Sequence, residues 1–404
     1  MAKRSPKNKQ ANLQNNTAAT TTMPAPMQFS INAHTLQTEL NLVSGVEDRR
    51  RTIPVLQNLS IVSDGPTSLK ITATDLDVTL ACQVEAVVSQ PGSILVPMAR
   101  LLDIARTFPK TANISFQALE QGGAKITCER AKFTLVAPEF NSFPELPKTN
   151  EGEIEIQAET IASMIASTIF AITQEESRYT LSGAKLEIDQ TGLRMVTTDG
   201  HRLAKSEVNT TTAKNPLGVL IPKKALGALK KICAAHDGPL KFATDENHAY
   251  FHVGSRNLTA RLLFGQFPNY EMVIPKDNNQ SFTTNVALFR ETLRRVSLMA
   301  DERSHAVRLD IKTNTLRFSA THRDEGEAVE DLPIALDTAA AAGTTEKHNT
   351  LSIGINCEYL LDALGSITSE QATMSFKDQN SQVMIFPATP TPIQVSNVVM
   401  PMRI

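Results

Sequence analysis

The chain has 404 residues, too many for one ordinary core and enough for two or three domains. With 41% hydrophobic and 20% charged residues, and no apolar run near the length of a membrane span, it reads as a soluble globular protein. A formal net charge of −2 argues against a tight charge-driven grip on nucleic acid, which calls for a strongly basic surface.

The first 26 residues, MAKRSPKNKQANLQNNTAATTTMPAP, carry Lys3, Arg4, Lys7 and Lys9, no acid and almost no large apolar side chain. Such a segment buries too little to offset its ordering entropy and is expected to be a disordered basic extension. It has no apolar h-region, which argues against export and for a cytoplasmic protein. Its four charges set aside, 36 basic side chains face 42 acids, so the body is mildly acidic. The four cysteines (Cys82, Cys128, Cys233, Cys357) are far apart and form no C-x-x-C, which suits burial in a reducing compartment better than metal or disulfide work.

Beyond the extension the chain repeats itself three times. The first copy opens on a helix stripe of Leu36, Leu40 and Val43, followed by EDRRRTIP with Arg49, Arg50 and Arg51. A strand and turn, LKITATDLDVTL (69–80), then lead to SILVPMARLLDIA (93–105), a short strand entering a helix at Pro97. The copy ends in a hairpin pattern, AKITCERAKFTLVAP, and FNSFPELP. The second copy repeats the order: a stripe of Ile161, Ile165 and Thr168, LRMVTTDGHRLA (193–204), GVLIPKKALGALK (218–230) with Pro222, HAYFHVGSRNLTARLL and FGQFPNYEMVIP. The third has Phe289, Leu293 and Val296, LRFSATHRDEGEA (316–328), a loop insertion over 338–349, and LSIGINCEYLLDAL (351–364) with Asn356 in place of the proline. Asp75, Asp199 and His322 mark the same turn in the three copies. The fold class is therefore α+β, as three tandem like domains over 27–150, 151–279 and 280–404.

The turn TDGHRL brings Asp199, His201 and Arg202 within four positions. Asp-x-His supplies at most two metal ligands or an acid/base pair, and the other copies offer TDLD and THRD without a matching histidine. A tight turn explains Asp199 and Gly200 more simply. A metal- or acid/base-dependent hydrolase using Asp199 and His201 stays open as an alternative, as does a repeat scaffold with no DNA role.

Charge follows the helices and one strand. Lys223/Lys230 and Lys224/Lys231 lie off the apolar face of Leu226, Leu229 and Cys233, and Arg290 and Arg294 lie off the stripe of the third copy. Acids gather in HRDEGEAVEDL (322–332), where a strand would suit a basic edge such as CERAK in the first copy. The chain ends on Val398, Val399, Met400, Met402 and Ile404, an apolar run that suits either a last strand or an adaptable pocket.

Five runs together carry a specific resemblance: RTIPVLQNL (51–59), SRYTLSG (177–183), TTDGHRLA (197–204), FPNYEMVIP (267–275) and VVMPMRI (398–404). Over residues 27 to 404 the chain resembles the β subunits of bacterial DNA polymerase III, the β sliding clamps. The resemblance implies a DNA clamp fold, with helices lining a ring and antiparallel sheets outside, built as a head-to-tail homodimer. It implies a processivity factor without catalytic activity, metal or cofactor, which encircles double-stranded DNA. Its partners would be the replicative DNA polymerase catalytic subunit, the clamp-loader complex, and repair and translesion proteins with a Gln-Leu-x-Leu-Phe-like motif. No membrane is involved.

By the same resemblance the partner-peptide pocket would use Arg178, Leu181, Thr198, Gly200, His201, Arg202, Leu203, Pro268 and Val273. Asn356, Tyr359 and the terminal run of Val398, Val399, Met400, Pro401, Met402, Arg403 and Ile404 would close it. DNA would be faced by Arg50, Arg51, Tyr179, Lys223 and Lys224, and the dimer interface would pair Phe133 and Leu135 with Leu298 and Met299. Two positions depart from the family pattern: Met272 replaces an arginine, and Glu175 replaces a glutamine that contacts DNA in some members.

Overall fold

The computed structural model describes residues 26–47, 53–147, 154–175, 177–210, 216–338 and 350–403. Most of the basic extension, Arg49, Arg50, Arg51, most of the 338–349 insertion and Ile404 lie outside these ranges. Each unit runs strand, helix, a block of strands, helix, and a closing run of three strands. The helices are α1 (Ala33–Val43), α2 (Met98–Thr107), α3 (Ala158–Thr168), α4 (Lys223–Ala234), α5 (Val286–Ser297) and α6 (Cys357–Gly365). They pack in pairs, α1 on α2, α3 on α4 and α5 on α6. Among the described residues, no helix is long and apolar enough to cross a membrane.

Local chemistry explains where the helices start. Asn32, Asn285 and Asn356 each turn a side-chain oxygen onto the first free backbone N–H groups of α1, α5 and α6. Pro97 and Pro222 stand at the same place before α2 and α4, where the fixed proline φ fits and no N–H is called on. All three helix stripes face inward: Leu36, Leu40 and Val43, then Ile161, Ile165 and Thr168, then Phe289, Leu293 and Val296 are all buried. The four cysteines are buried and unpaired.

Two of the four sheets cross from one unit to the next. The strand Arg256–Arg261 of the second unit pairs antiparallel with Val78–Glu85 of the first, Leu258 opposite Leu80, inside an eight-stranded sheet. The strand Gln394–Val399 of the third unit pairs with Arg202–Asn209 of the second, Val398 opposite Leu203, inside a nine-stranded sheet. The two remaining sheets end on one strand each of matching repeat position. Ala131–Leu135 closes the five-stranded sheet of the first unit, and Gly326–Pro333 begins the four-stranded sheet of the third. The first two units share a continuous apolar core, and the third has its own.

The first junction is also held by charge. Arg256 makes a two-pronged contact with Glu39 on α1, Nη2 to Oε1 at 2.5 Å and Nε to Oε2 at 3.0 Å, with both side chains nearly buried. Lys224 Nζ donates to the Val46 carbonyl at 2.7 Å and pairs with Asp75 at 2.5 Å. Removing one half of a buried pair strands the other charge. Glu39→Ala should therefore lower the unfolding free energy by about 3 kcal/mol in chemical denaturation. Replacing both partners with apolar residues should recover most of the loss, and a single-variant loss under about 1 kcal/mol would mean the sheet join holds the junction without the pair.

Candidate functional site

The site grows from the turn between the strands Gly192–Thr198 and Arg202–Asn209. Asp199 Oδ1 accepts the N–H groups of His201 at 2.9 Å and Arg202 at 3.0 Å, while Gly200 takes φ +90°. The other oxygen, Oδ2, pairs with Arg202 Nε at 3.0 Å. Both carboxylate oxygens are thus engaged within the turn, the role that the tight-turn reading gives them. The His201 ring instead lies nearly parallel to that of Tyr359, 6.4 Å between centroids.

Glycine takes this turn conformation without strain. A Cβ on Gly200 would come within 3.0 Å of Arg178 Nη1, which donates to the Asp199 carbonyl at 2.7 Å. Beside the turn, Leu181, Thr198, Gly200, Arg202, Leu203, Pro268, Tyr270, Val273, Val398 and Met400 line a cavity of about 140 Å³. Its wall is mostly aliphatic and thioether, with the threonine hydroxyl and the arginine as polar points. Met400 closes it through its N–H, which donates to the His201 carbonyl at 3.0 Å.

Of the described residues expected at the pocket, Arg178, His201, Asn356, Tyr359, Val399, Pro401, Met402 and Arg403 do not line this cavity. Arg178 stands behind Gly200, with Nε 3.0 Å from Glu175. Asn356 caps α6, and Val399 is buried in the core of the third unit. Met402 hydrogen-bonds the Gly354 carbonyl at 2.9 Å, with Pro401 half-buried and Arg403 exposed. Met272 is 82% exposed and does not line the cavity. Tyr179 is exposed, and Lys223 is half-buried with its ammonium held below its ordinary pKa by burial and the Arg202 charge.

Arg202 ties the cavity to the third unit. Its Nη1 pairs with Asp362 of α6 at 2.6 Å, its Nη2 donates to the Phe170 carbonyl at 2.8 Å, and Tyr359 lies under the guanidinium, its ring centroid 4.4 Å away. With three acceptors and an aromatic face satisfied, the side chain is 12% exposed and has little freedom to move.

Sequence reasoning missed Tyr270, although it stands two residues after Pro268 in a run already singled out. Its hydroxyl donates to Glu187 Oε2 at 2.7 Å, and Lys185 and Arg194 hold the same carboxylate. Burial would raise the Glu187 pKa, but Lys185, Tyr270 and Arg194 together outweigh it and hold it below its ordinary 4.5. This tie is complete above that value and is lost as pH falls through the lower native pKa, so the wall is pinned at neutral pH.

Comparison with known proteins agrees along the whole described core. Family models match as DNA polymerase III beta subunit, N-terminal domain over residues 27–147, central domain over 155–269 and C-terminal domain over 271–403. The chain belongs to the DNA polymerase III β subunit family. It is 31% identical over 382 residues to the beta sliding clamp of Pseudomonas putida and 31% over 381 residues to that of Escherichia coli K12, each match covering 94% of this chain and all of the relative. Among solved structures, the Pseudomonas aeruginosa sliding clamp bound to griselimycin superimposes with a TM-score of 0.84 at 31% identity, covering 94% of this chain and all of that one. The Caulobacter crescentus clamp gives 0.85 at 28% identity, covering 95% and 100%. The protein has the three-domain clamp fold and is a sliding clamp.

Tyr270→Phe keeps the ring and removes its tie to Glu187. Amide hydrogen exchange over residues 268–273 should quicken roughly tenfold, as expected for losing a hydrogen bond to a charged group. Unchanged exchange would show that packing alone holds the wall.

Proposed function

We propose that two copies of this chain close head to tail into a ring around duplex DNA and tether a replicative polymerase through the cavity beside Gly200. One observation carries the ring: the same strand-to-strand join occurs twice within the chain, and each end keeps one strand of the kind that would make a third. Pairing Ala131–Leu135 of one protomer with Gly326–Pro333 of its partner would join a five-stranded and a four-stranded sheet, as the junction of the second and third units joins five strands to four. The two sides complement each other. Arg130 and Lys132 are exposed at the first edge, and Glu327 is exposed at the second. Glu330 and Asp331 already pair with Arg295 and Arg317, so they order the second edge rather than wait for a partner. Phe133 and Leu135 are half-buried, and Leu298 is 77% exposed, an apolar surface that a partner protomer would cover.

Six like modules would then surround the DNA, held on it by topology. This explains how a mildly acidic protein serves DNA: a ring that slides needs only a modest positive lining. Tyr179 and Lys223, with Arg50 and Arg51 from outside the described residues, are assigned to that lining. Lys224 contributes charge at longer range, because its ammonium is engaged by Asp75 and the Val46 carbonyl. No residue is assigned to turnover, and the protein's work is positional.

The cavity suits a short extended peptide with two apolar side chains, of the Gln-Leu-x-Leu-Phe kind. Replicative polymerase, clamp loader and repair or translesion proteins would take turns there. Burying one leucine contributes about 2 kcal/mol, enough for modest, exchangeable affinity. Fluorescence anisotropy with that labelled peptide tests the reading. The intact chain should bind saturably, and the chain ending at Val399 should bind at least tenfold more weakly, since it lacks the Met400 wall. Equal binding would remove the C-terminus from the site.

The seam has a separate test. Leu298→Lys with Met299→Lys should convert dimers to monomers by light scattering while peptide binding persists, because seam and cavity lie on different surfaces. An unchanged molar mass would overturn the seam.

A further inference from the structure

The cavity beside Gly200 does not end at its own wall. Antiparallel register brings Leu203, Val398 and Met384 into one cross-strand row, and paired residues in such a row point to the same face of the sheet. Leu203 and Val398 line the cavity, whereas Met384 lines a second groove of about 510 Å³. The next row on that face holds Lys205 opposite Ser396, with Phe386 two residues on from Met384, and all three line the groove. Val273 of the cavity and Ile274 of the groove are consecutive and form the shared rim. Successive rows lie about 7 Å apart, the advance of two residues of an extended chain.

The chemistry of the groove names its occupant. Ile274, Met384 and Phe386 are half-buried apolar side chains on one side of it. Its charges cancel locally, because Lys205 pairs with Glu207 at 2.5 Å. An acidic or basic tail finds no net charge to follow, whereas an apolar side chain finds a thioether and an aromatic face.

We propose that the groove is an outer subsite of the partner-peptide pocket, taking a further apolar side chain two to three residues beyond the five-residue motif of the same partner segment. This rests on the pocket reading given above. Partners carrying that additional side chain would bind more tightly than partners presenting the motif alone, so the groove would rank partners that the inner cavity treats alike.

The test uses the full chain and three labelled peptides: the motif alone, and the motif extended at either end by Ala-Ala and a leucine. One extended peptide should bind about tenfold more tightly than the motif, the gain expected for burying a leucine. Phe386→Ser should abolish the gain and leave the motif's own Kd unchanged. Ile274→Ser, on a different segment, is the second variant should Phe386→Ser weaken the motif itself. Extended peptides that bind no better than the motif, or a gain untouched by both variants, would overturn the outer subsite while leaving the pocket standing. Failure of the motif peptide itself to bind would instead strike the pocket reading.

Discussion

A sheet edge carries a row of backbone N–H and C=O groups that must find partners, and the architecture of this protein follows from how those edges are used. Each repeat ends its closing hairpin on an edge strand, and each offers another edge after its turn. Joined, they let the units share a sheet instead of meeting through a small polar contact. The join between Arg256–Arg261 and Val78–Glu85 is why the first two units share one apolar core. The join between Gln394–Val399 and Arg202–Asn209 puts the last strand of the chain beside the turn of the second unit. The cavity exists because of that join: Leu203 comes from one side and Val398 from the other.

Charge then fixes what the sheets leave loose. At the second junction Arg202 reaches across the join to Asp362 while Tyr359 covers its guanidinium. At the first, Arg256 reaches Glu39 and Lys224 reaches Asp75. These pairs are half-buried or nearly buried, so their worth lies in geometry more than in net stabilisation. A cavity lined by adaptable methionine and leucine side chains keeps its shape because its frame, Arg202 and the Glu187–Tyr270 tie, is rigid.

Much of this was legible in the sequence, for identifiable reasons. The three helix stripes are periodic, so burial of Leu36, Ile161 and Phe289 followed from spacing alone. Asp199 and Gly200 announced a tight turn because aspartate accepts local N–H groups and glycine tolerates φ of +90°. The residues gathered at the cavity came from the resemblance, since no local pattern links Leu181 to Met400. What stayed hidden was long-range and polar. Nothing in the sequence of α6 marks Asp362 as the partner of Arg202, 160 residues away. Glu187 and Tyr270 look like ordinary surface residues until the fold brings them together. Lys224 read as one more cation on a basic helix face, and only the packing of α4 beside the first unit shows its ammonium already engaged.

The repeat also explains why the two junctions within one chain differ. Gly200 and Leu76 occupy the same turn position, and both take positive φ, +90° and +79°. For glycine this conformation carries no steric penalty, whereas for leucine it costs on the order of 1 kcal/mol. At the second junction the missing side chain leaves the floor of the cavity open beside Leu181 and Val398. At the first, Leu76 projects from the turn, and the flanking acids are drawn into ion pairs, Asp75 with Lys224 and Asp77 with Arg261. One copy of the turn has become a tie between units and the other the floor of a cavity, although the backbone that makes them is the same. The difference between a turn that ties two units together and one that opens onto a cavity thus comes down to a Cβ at one position and to which neighbours the adjoining aspartate is given.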